Sequence, residues 1–178
     1  AGEIEAVYLL GADEIDMRRL GAAFVVYQGH HGDAGARRAD VVLPGAAYTE
    51  KDATYVNTEG RVQRARRSVF PPGDAREDWK ILRALSEMLG HKLPYDALGQ
   101  LRARLASVAP SFASLDAVTP AAWGKFGSDG PVDAQPFAYP IRDFYRTDPI
   151  SRASPTMTAC AEAAVERAST AAKTGTHG

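Results

Sequence analysis

Near the N-terminus the hydrophobic positions fall in short unbroken blocks. Ala6 to Leu10 (AVYLL) and Ala23 to Gln28 (AFVVYQ) are rich in β-formers. Val41 to Leu43 adds a shorter block, closed by Pro44. Turn residues follow the first two, as Gly11-Ala12-Asp13 and Gly29-His30-His31-Gly32-Asp33. Apolar runs bounded in this way predict buried strands. Between them, Asp16 to Leu20 predicts one helical turn and Ala34 to Ala39 a short helix of small residues. Strand, short helix and strand in succession predict a parallel sheet covered on both faces.

The period changes after Pro71-Pro72-Gly73. Asp74 and Glu77 have the spacing of a capping box. Trp79, Leu82, Leu85 and Leu89 then recur at helical spacing, with Ile81 and Met88 beside them. Gly90 suits the left-handed position after the last turn. A second helix is predicted from Asp96 to Val108, with Leu98, Leu101 and Leu105 on one face and Pro110 as its stop. From Ala109 to Pro140, proline, glycine and serine predict a long surface loop. Order resumes at Ile141 to Tyr145 (IRDFY). Ser154-Pro155 offers an N-cap and a first-turn proline for a helix through Cys160 towards Ala168, followed by a frayed tail. The fold class is α/β: a Rossmann-like, mostly parallel sheet with flanking helices, then a long irregular loop and a C-terminal helix. The expected organisation is an α/β part over 1–108, a proline-rich loop over 109–140 and a C-terminal segment over 141–178.

Composition narrows the chemistry. With 45% apolar residues in 178, one domain can bury a real core. The net charge of −1 exerts no general pull on nucleic acid or anionic lipid. The cluster from Arg64 to Arg67, interrupted by Ala65, reads as a solvated face. The lone cysteine, Cys160, excludes an intrachain disulfide and fits a reducing compartment. It also excludes a cluster held by about four thiolates of this chain. His30 and His31 are adjacent, and His91 and His177 are isolated, so the histidines supply no metal site. No apolar run approaches the ~18 residues of a membrane span. The N-terminus lacks a secretory pattern and begins on a strand without methionine, as a processed product, an excised segment or a piece of a longer polypeptide would.

Four groups of residues invite chemistry, and each has a plainer reading. Gly29 to Asp33 lies where α/β sheets bind ligands. It reads better as a turn whose glycines take positive φ and whose histidines bond locally. Gly11-Ala12-Asp13 lacks the three-glycine spacing of a dinucleotide loop. Cys160, on an Ala-rich helix, reads as a buried inert thiol. Glu50, Lys51, Asp52 and Glu59 surround Thr54-Tyr55-Val56-Asn57. Asn57, Thr58 and Gly60 are turn formers, and Arg61 is placed to pair with Glu50 or Glu59. A structural polar network is the expectation.

The segment from Ala39 to Gln63, ADVVLPGAAYTEKDATYVNTEGRVQ, resembles the signature of the molybdopterin oxidoreductase superfamily. Its pieces run in order: Ala-Asp-Val-Val-Leu-Pro, an acidic residue, Thr-Tyr-Val-Asn and Glu-Gly-Arg-Val-Gln. The flanks YQGHHGDAGARRADVVLPGAAYTEK, PPGDAREDWKILRALSE and IRDFYRTDPISRASPTM resemble the C-terminal part of the large iron–sulfur subunit of respiratory complex I. The resemblance covers roughly Val7 to Cys160 and is weakest in the proline-rich loop.

The resemblance implies a molybdenum-enzyme fold that has lost its cofactor. Asn57, Glu59 and Gly60 match the pterin-facing segment and are expected to be vestigial, kept for folding. Ala53 stands where a glycine often precedes the threonine in molybdenum enzymes. The resemblance further implies no cofactor in this segment, with iron–sulfur clusters in N-terminal domains. The implied partners are the flavin-bearing NADH-binding subunit and neighbouring iron–sulfur subunits of the peripheral arm. The place implied is the cytoplasmic side of a bacterial plasma membrane or the matrix side of the mitochondrial inner membrane. The expected function is a non-catalytic structural portion of an NADH:quinone oxidoreductase subunit. The alternatives are part of a molybdenum-dependent oxidoreductase of the formate dehydrogenase kind, or a binding module using Gly29 to Asp33 for a small anion.

Overall fold

The structure is a computed structural model describing residues 4–131, 134–135, 141 and 143–174, with side chains as far as residue 169. Parts of the predicted loop (132–133 and 136–140), Arg142 within IRDFY and the last four residues of the tail lie outside the described residues. Backbone contacts divide the chain into two units, Ala1–Gly124 and Lys125–Gly178.

In the first unit, three parallel strands stand in chain order: β1 (Ala6–Leu10), β2 (Phe24–Gly29) and β3 (Val41–Pro44). Ala6 lies opposite Phe24, and Val26 opposite Val41, which fixes the faces by alternation. Leu9, Val25 and Tyr27 form the core on one face. A 3₁₀ turn (Met17–Leu20) and α1 (Ala34–Arg38) cover it, through Met17, Leu20 and Ala36. The other face departs from the expectation of a sheet covered twice. Leu10 and Phe24 are each 49% exposed there, and Val41 is 39% exposed. The start of the next helix covers the carboxyl end of this face at Gln28, and Tyr8 and Val26 in its middle are half-buried.

Beyond the sheet, β4 (Ala53–Val56) and β5 (Val62–Ala65) make an antiparallel hairpin. Helix α2 (Asp78–Met88) starts later than the Asp74 capping pattern predicts. The reason is competition for backbone. Arg76 N donates to Pro44 O at 3.1 Å, and Arg76 O accepts from Ala46 N at 2.8 Å. Those bonds hold Arg76 beside the end of β3, so Glu77 becomes the N-cap. The C-terminus is as predicted. Gly90 takes φ +77°, and His91 N bonds Ser86 O while Gly90 N bonds Glu87 O, the paired closure of a Schellman motif. The last part of the predicted apolar face is open, with Met88 85% exposed.

Helix α3 (Leu98–Val108) begins two residues after the expected Asp96, where the Gln100 side chain accepts from Asp96 N and Ala97 N. Arg83 joins α2 to this entry. It is 9% exposed and donates to Asp96 at 2.6 Å, Glu87 at 2.9 Å and Tyr95 O at 3.1 Å. The bond from Arg83 holds the Glu87 carboxyl below its usual range.

The second unit contains α4 (Pro149–Ala153), for which the sequence pattern predicts no element, and α5 (Pro155–Thr174). Asp148 caps α4 by accepting from Ile150 N and Ser151 N. Ser154 Oγ accepts from Met157 N at the start of α5. Cys160 is half-buried rather than buried. Among the described residues, no helix is long and apolar enough to cross a membrane.

Candidate functional site

The carboxyl ends of the parallel strands gather one connected polar chain. Gln28, at the end of β2, is fully buried. Its Oε1 accepts from the Tyr8 hydroxyl at 2.5 Å. Its Nε2 donates to Asp78 Oδ1 at 3.0 Å and to Asp78 O at 3.3 Å. The other oxygen of Asp78 pairs with the Lys51 ammonium. Thus β1, β2, the segment after β3 and the first residue of α2 are tied together through four side chains. Burial, with the Asp78 charge behind it, pushes the Tyr8 phenol up, which keeps it a donor. Gly45 allows this approach: a Cβ there would lie 2.8 Å from Asp78 Oδ1. A cleft of about 310 Å³ opens beside the pair, lined in part by Lys51, Ala53, Tyr55, Asp78, Trp79 and Leu101.

The loop after β2 is built by local packing. Neither Gly29 nor Gly32 takes a positive φ, contrary to the expectation for this turn. Gly29 is required for space, because a Cβ there would collide with the Tyr27 ring. The Tyr27 hydroxyl donates to His31 O at 3.0 Å. His30 Nδ1 and His31 Nδ1 are 2.6 Å apart, so one donates and the other accepts. Burial holds the His30 pKa below its ordinary value, with His31 and Lys51 acting in the same direction.

Asp33 caps α1 through Ala34 N at 2.8 Å, and buried Asp13 accepts from Gly35 N at 3.3 Å. The chain's own carboxylates therefore occupy the place that a phosphate takes after a nucleotide loop.

Asn57, Glu59 and Gly60 sit elsewhere, at the exposed tip of the β4–β5 hairpin. Asn57 Oδ1 accepts from Glu59 N at 3.1 Å and from Arg61 N at 2.9 Å. Glu59 pairs with Arg61 at 3.2 Å, one of the two partners expected for that arginine. Glu50, the other, accepts instead from Ala47 N. Gly60 takes φ +83°, with open space where a Cβ would stand. None of the three lines the cleft beside Lys51 and Asp78. A pterin needs free polar groups around a concave surface. At this tip the polar groups bond one another and the glycine faces open space. Among the described residues, no group of three or more His, Cys, Asp and Glu is arranged to hold a metal ion.

Sequence reasoning places Lys51 in a polar network but misses Tyr8, Gln28 and Asp78 as its members. One signal is present. Gln28 ends an otherwise apolar strand, and a buried amide demands partners.

Two family models match the chain. One is molybdopterin oxidoreductase, over residues 1–88. The other is the C-terminal region of the G-type NADH-ubiquinone oxidoreductase chain, over residues 108–160. The mitochondrial NADH-ubiquinone oxidoreductase 78 kDa subunit of Candida albicans is 54% identical over 165 residues, which cover 86% of this chain and 23% of that protein. The corresponding 78 kDa subunit of Neurospora crassa is 51% identical, with 88% of this chain and 22% of that protein covered. The NADH-ubiquinone oxidoreductase 75 kDa subunit of Reclinomonas americana is 48% identical, with 86% and 23% covered. The chain therefore spans 22–23% of the length of these relatives. It belongs to the family of the 75 and 78 kDa subunits of NADH-ubiquinone oxidoreductase, within the molybdopterin oxidoreductase superfamily.

Proposed function

We propose that this chain is a non-catalytic, bracing portion of the peripheral-arm iron–sulfur subunit of an NADH:quinone oxidoreductase. The assembly would pass electrons from NADH through iron–sulfur clusters to a quinone. The clusters would be held by other parts of the parent polypeptide, and the neighbours would be the NADH-binding flavin subunit and adjoining iron–sulfur subunits. The arm would face the bacterial cytoplasm or the mitochondrial matrix. The supporting observation is the polar chain Tyr8–Gln28–Asp78–Lys51, in which both Asp78 carboxylate oxygens and the buried Gln28 amide already have protein partners. A general base or ligand needs a lone pair or proton to offer. This arrangement instead spends its polar groups on holding strands to a helix. The hairpin residues Asn57, Glu59 and Gly60 have the same role in this reading, as a vestigial frame that fixes a turn. The open apolar face bearing Leu10, Phe24 and Val41 is where the rest of the parent polypeptide would pack.

The test is Asp78→Asn in the complete subunit, expressed in a host lacking its own copy. The expected result is less assembled complex, with NADH:quinone turnover per bound flavin unchanged. Full assembly with turnover abolished would give Asp78 a chemical role and sink the proposal.

A further inference from the structure

A second cleft lies in the first unit, between the β4–β5 hairpin and α3. It measures about 450 Å³, and its lining includes Thr54, Arg64, Arg102, Ala106 and Phe112. Two arginines and no acidic residue line it, and Arg102 also borders the adjoining cleft, which is lined by Asp52, Glu77 and Asp78. Thr54 and Arg64 are cross-strand partners on β4 and β5, so they project to the same side of the hairpin. Five other arginines of the first unit, Arg18, Arg37, Arg38, Arg61 and Arg83, pair with acids. Arg64 and Arg102 form no ion pair with any described residue. Arg102 is half-buried, and its Nε is buried with no hydrogen-bond partner.

An unpaired buried donor on a permanently charged group is costly, because the water it gave up is not replaced. Arg64, exposed on the hairpin, brings a second positive charge to the same cleft. One added oxyanion gives the Arg102 Nε a charge-assisted acceptor, and planar guanidinium forks match the spacing of oxygens on phosphate-class anions. The Thr54 hydroxyl supplies a further donor on the same wall. We propose that this cleft is a binding site for a small phosphate-class oxyanion, clamped by Arg64 and Arg102. This cleft shares Thr54, Arg102 and Leu105 with the one beside Lys51 and Asp78, and the anion site stands whether or not the bracing role holds.

The test is isothermal titration of the full 178-residue chain with inorganic phosphate, against chloride at matched ionic strength. Saturable binding is expected with phosphate and none with chloride. Arg64→Met and Arg102→Met should each weaken it about tenfold or more. Arg102→Lys should recover part of the loss. Arg66→Met, on an exposed residue outside the cleft lining, should leave it unchanged. Heats of dilution alone would overturn the proposal, as would binding that survives both methionine variants. A density map of the assembled complex supplies a second arm. Isolated oxyanion density between the two guanidiniums would support the site, and a neighbouring chain's carboxylate in that place would overturn it.

Discussion

Asp78 accepts from Gln28 and Lys51, and Gly45 makes room for it. Adding one methyl at that glycine puts carbon 2.8 Å from a carboxylate oxygen that is already committed. Gly45→Ala is therefore expected to cost about 1–3 kcal/mol, read as a lowered denaturant midpoint with an unchanged slope. Gly35 makes the same argument against a helix-propensity gain. Alanine should favour a helix by about 1 kcal/mol over glycine. Here its Cβ would meet the Tyr27 ring at 2.8 Å and Asp13 Cβ at 2.9 Å. Gly35→Ala should be net destabilising, and a stabilised variant would show that the contact relaxes freely.

His30 gives the residue scale a pH dependence. In the unfolded chain its imidazole takes a proton near about pH 6.5. In the fold, burial, His31 and Lys51 hold its pKa lower, against smaller opposing effects from Asp78 and Glu50. Between those two values the unfolded state binds more protons, so stability rises with pH. The contribution is present above about pH 6.5 and is lost as pH falls through the depressed folded value. Chemical denaturation across about pH 8 to about pH 5 should show this slope, and His30→Gln should flatten it.

At the scale of elements, most of what local chemistry decides is legible in the sequence. The apolar blocks give β1, β2 and β3 nearly to the residue, because backbone and side chains there obey one environment. Gly90 is legible because a left-handed C′ position has few alternatives to glycine. Replacing it with alanine at φ +77° should cost about 1–2 kcal/mol, seen as a drop in thermal midpoint. The start of α2 is not legible. Its capping pattern is genuine, but the backbone of Arg76 is held by Pro44 and Ala46, far away in sequence. Gly29 misleads for a related reason. Its requirement is set by the Tyr27 ring and not by its own φ. The polar cluster shares this limit. Tyr8, Gln28, Lys51 and Asp78 are dispersed along the chain and meet only when the strands align.

For the whole molecule, the central matter is what the inherited signature from Ala39 to Gln63 does. The three residues matched to a pterin-facing segment lie on a hairpin tip and bond one another. Lys51, from the same signature, reaches the buried end of the sheet and holds Asp78. In the proposed account the segment has moved from holding a cofactor to holding the fold. Breaking the Lys51–Asp78 pair leaves a half-buried cation without its partner, a loss of about 1–3 kcal/mol. That loss should lower how much complex assembles and leave electron transfer untouched.

The most direct test is NADH:quinone turnover, normalised to bound flavin, in complex assembled with Asp78→Asn. The account predicts wild-type turnover per flavin from a reduced yield of complex. Wild-type yield with turnover lost would contradict it.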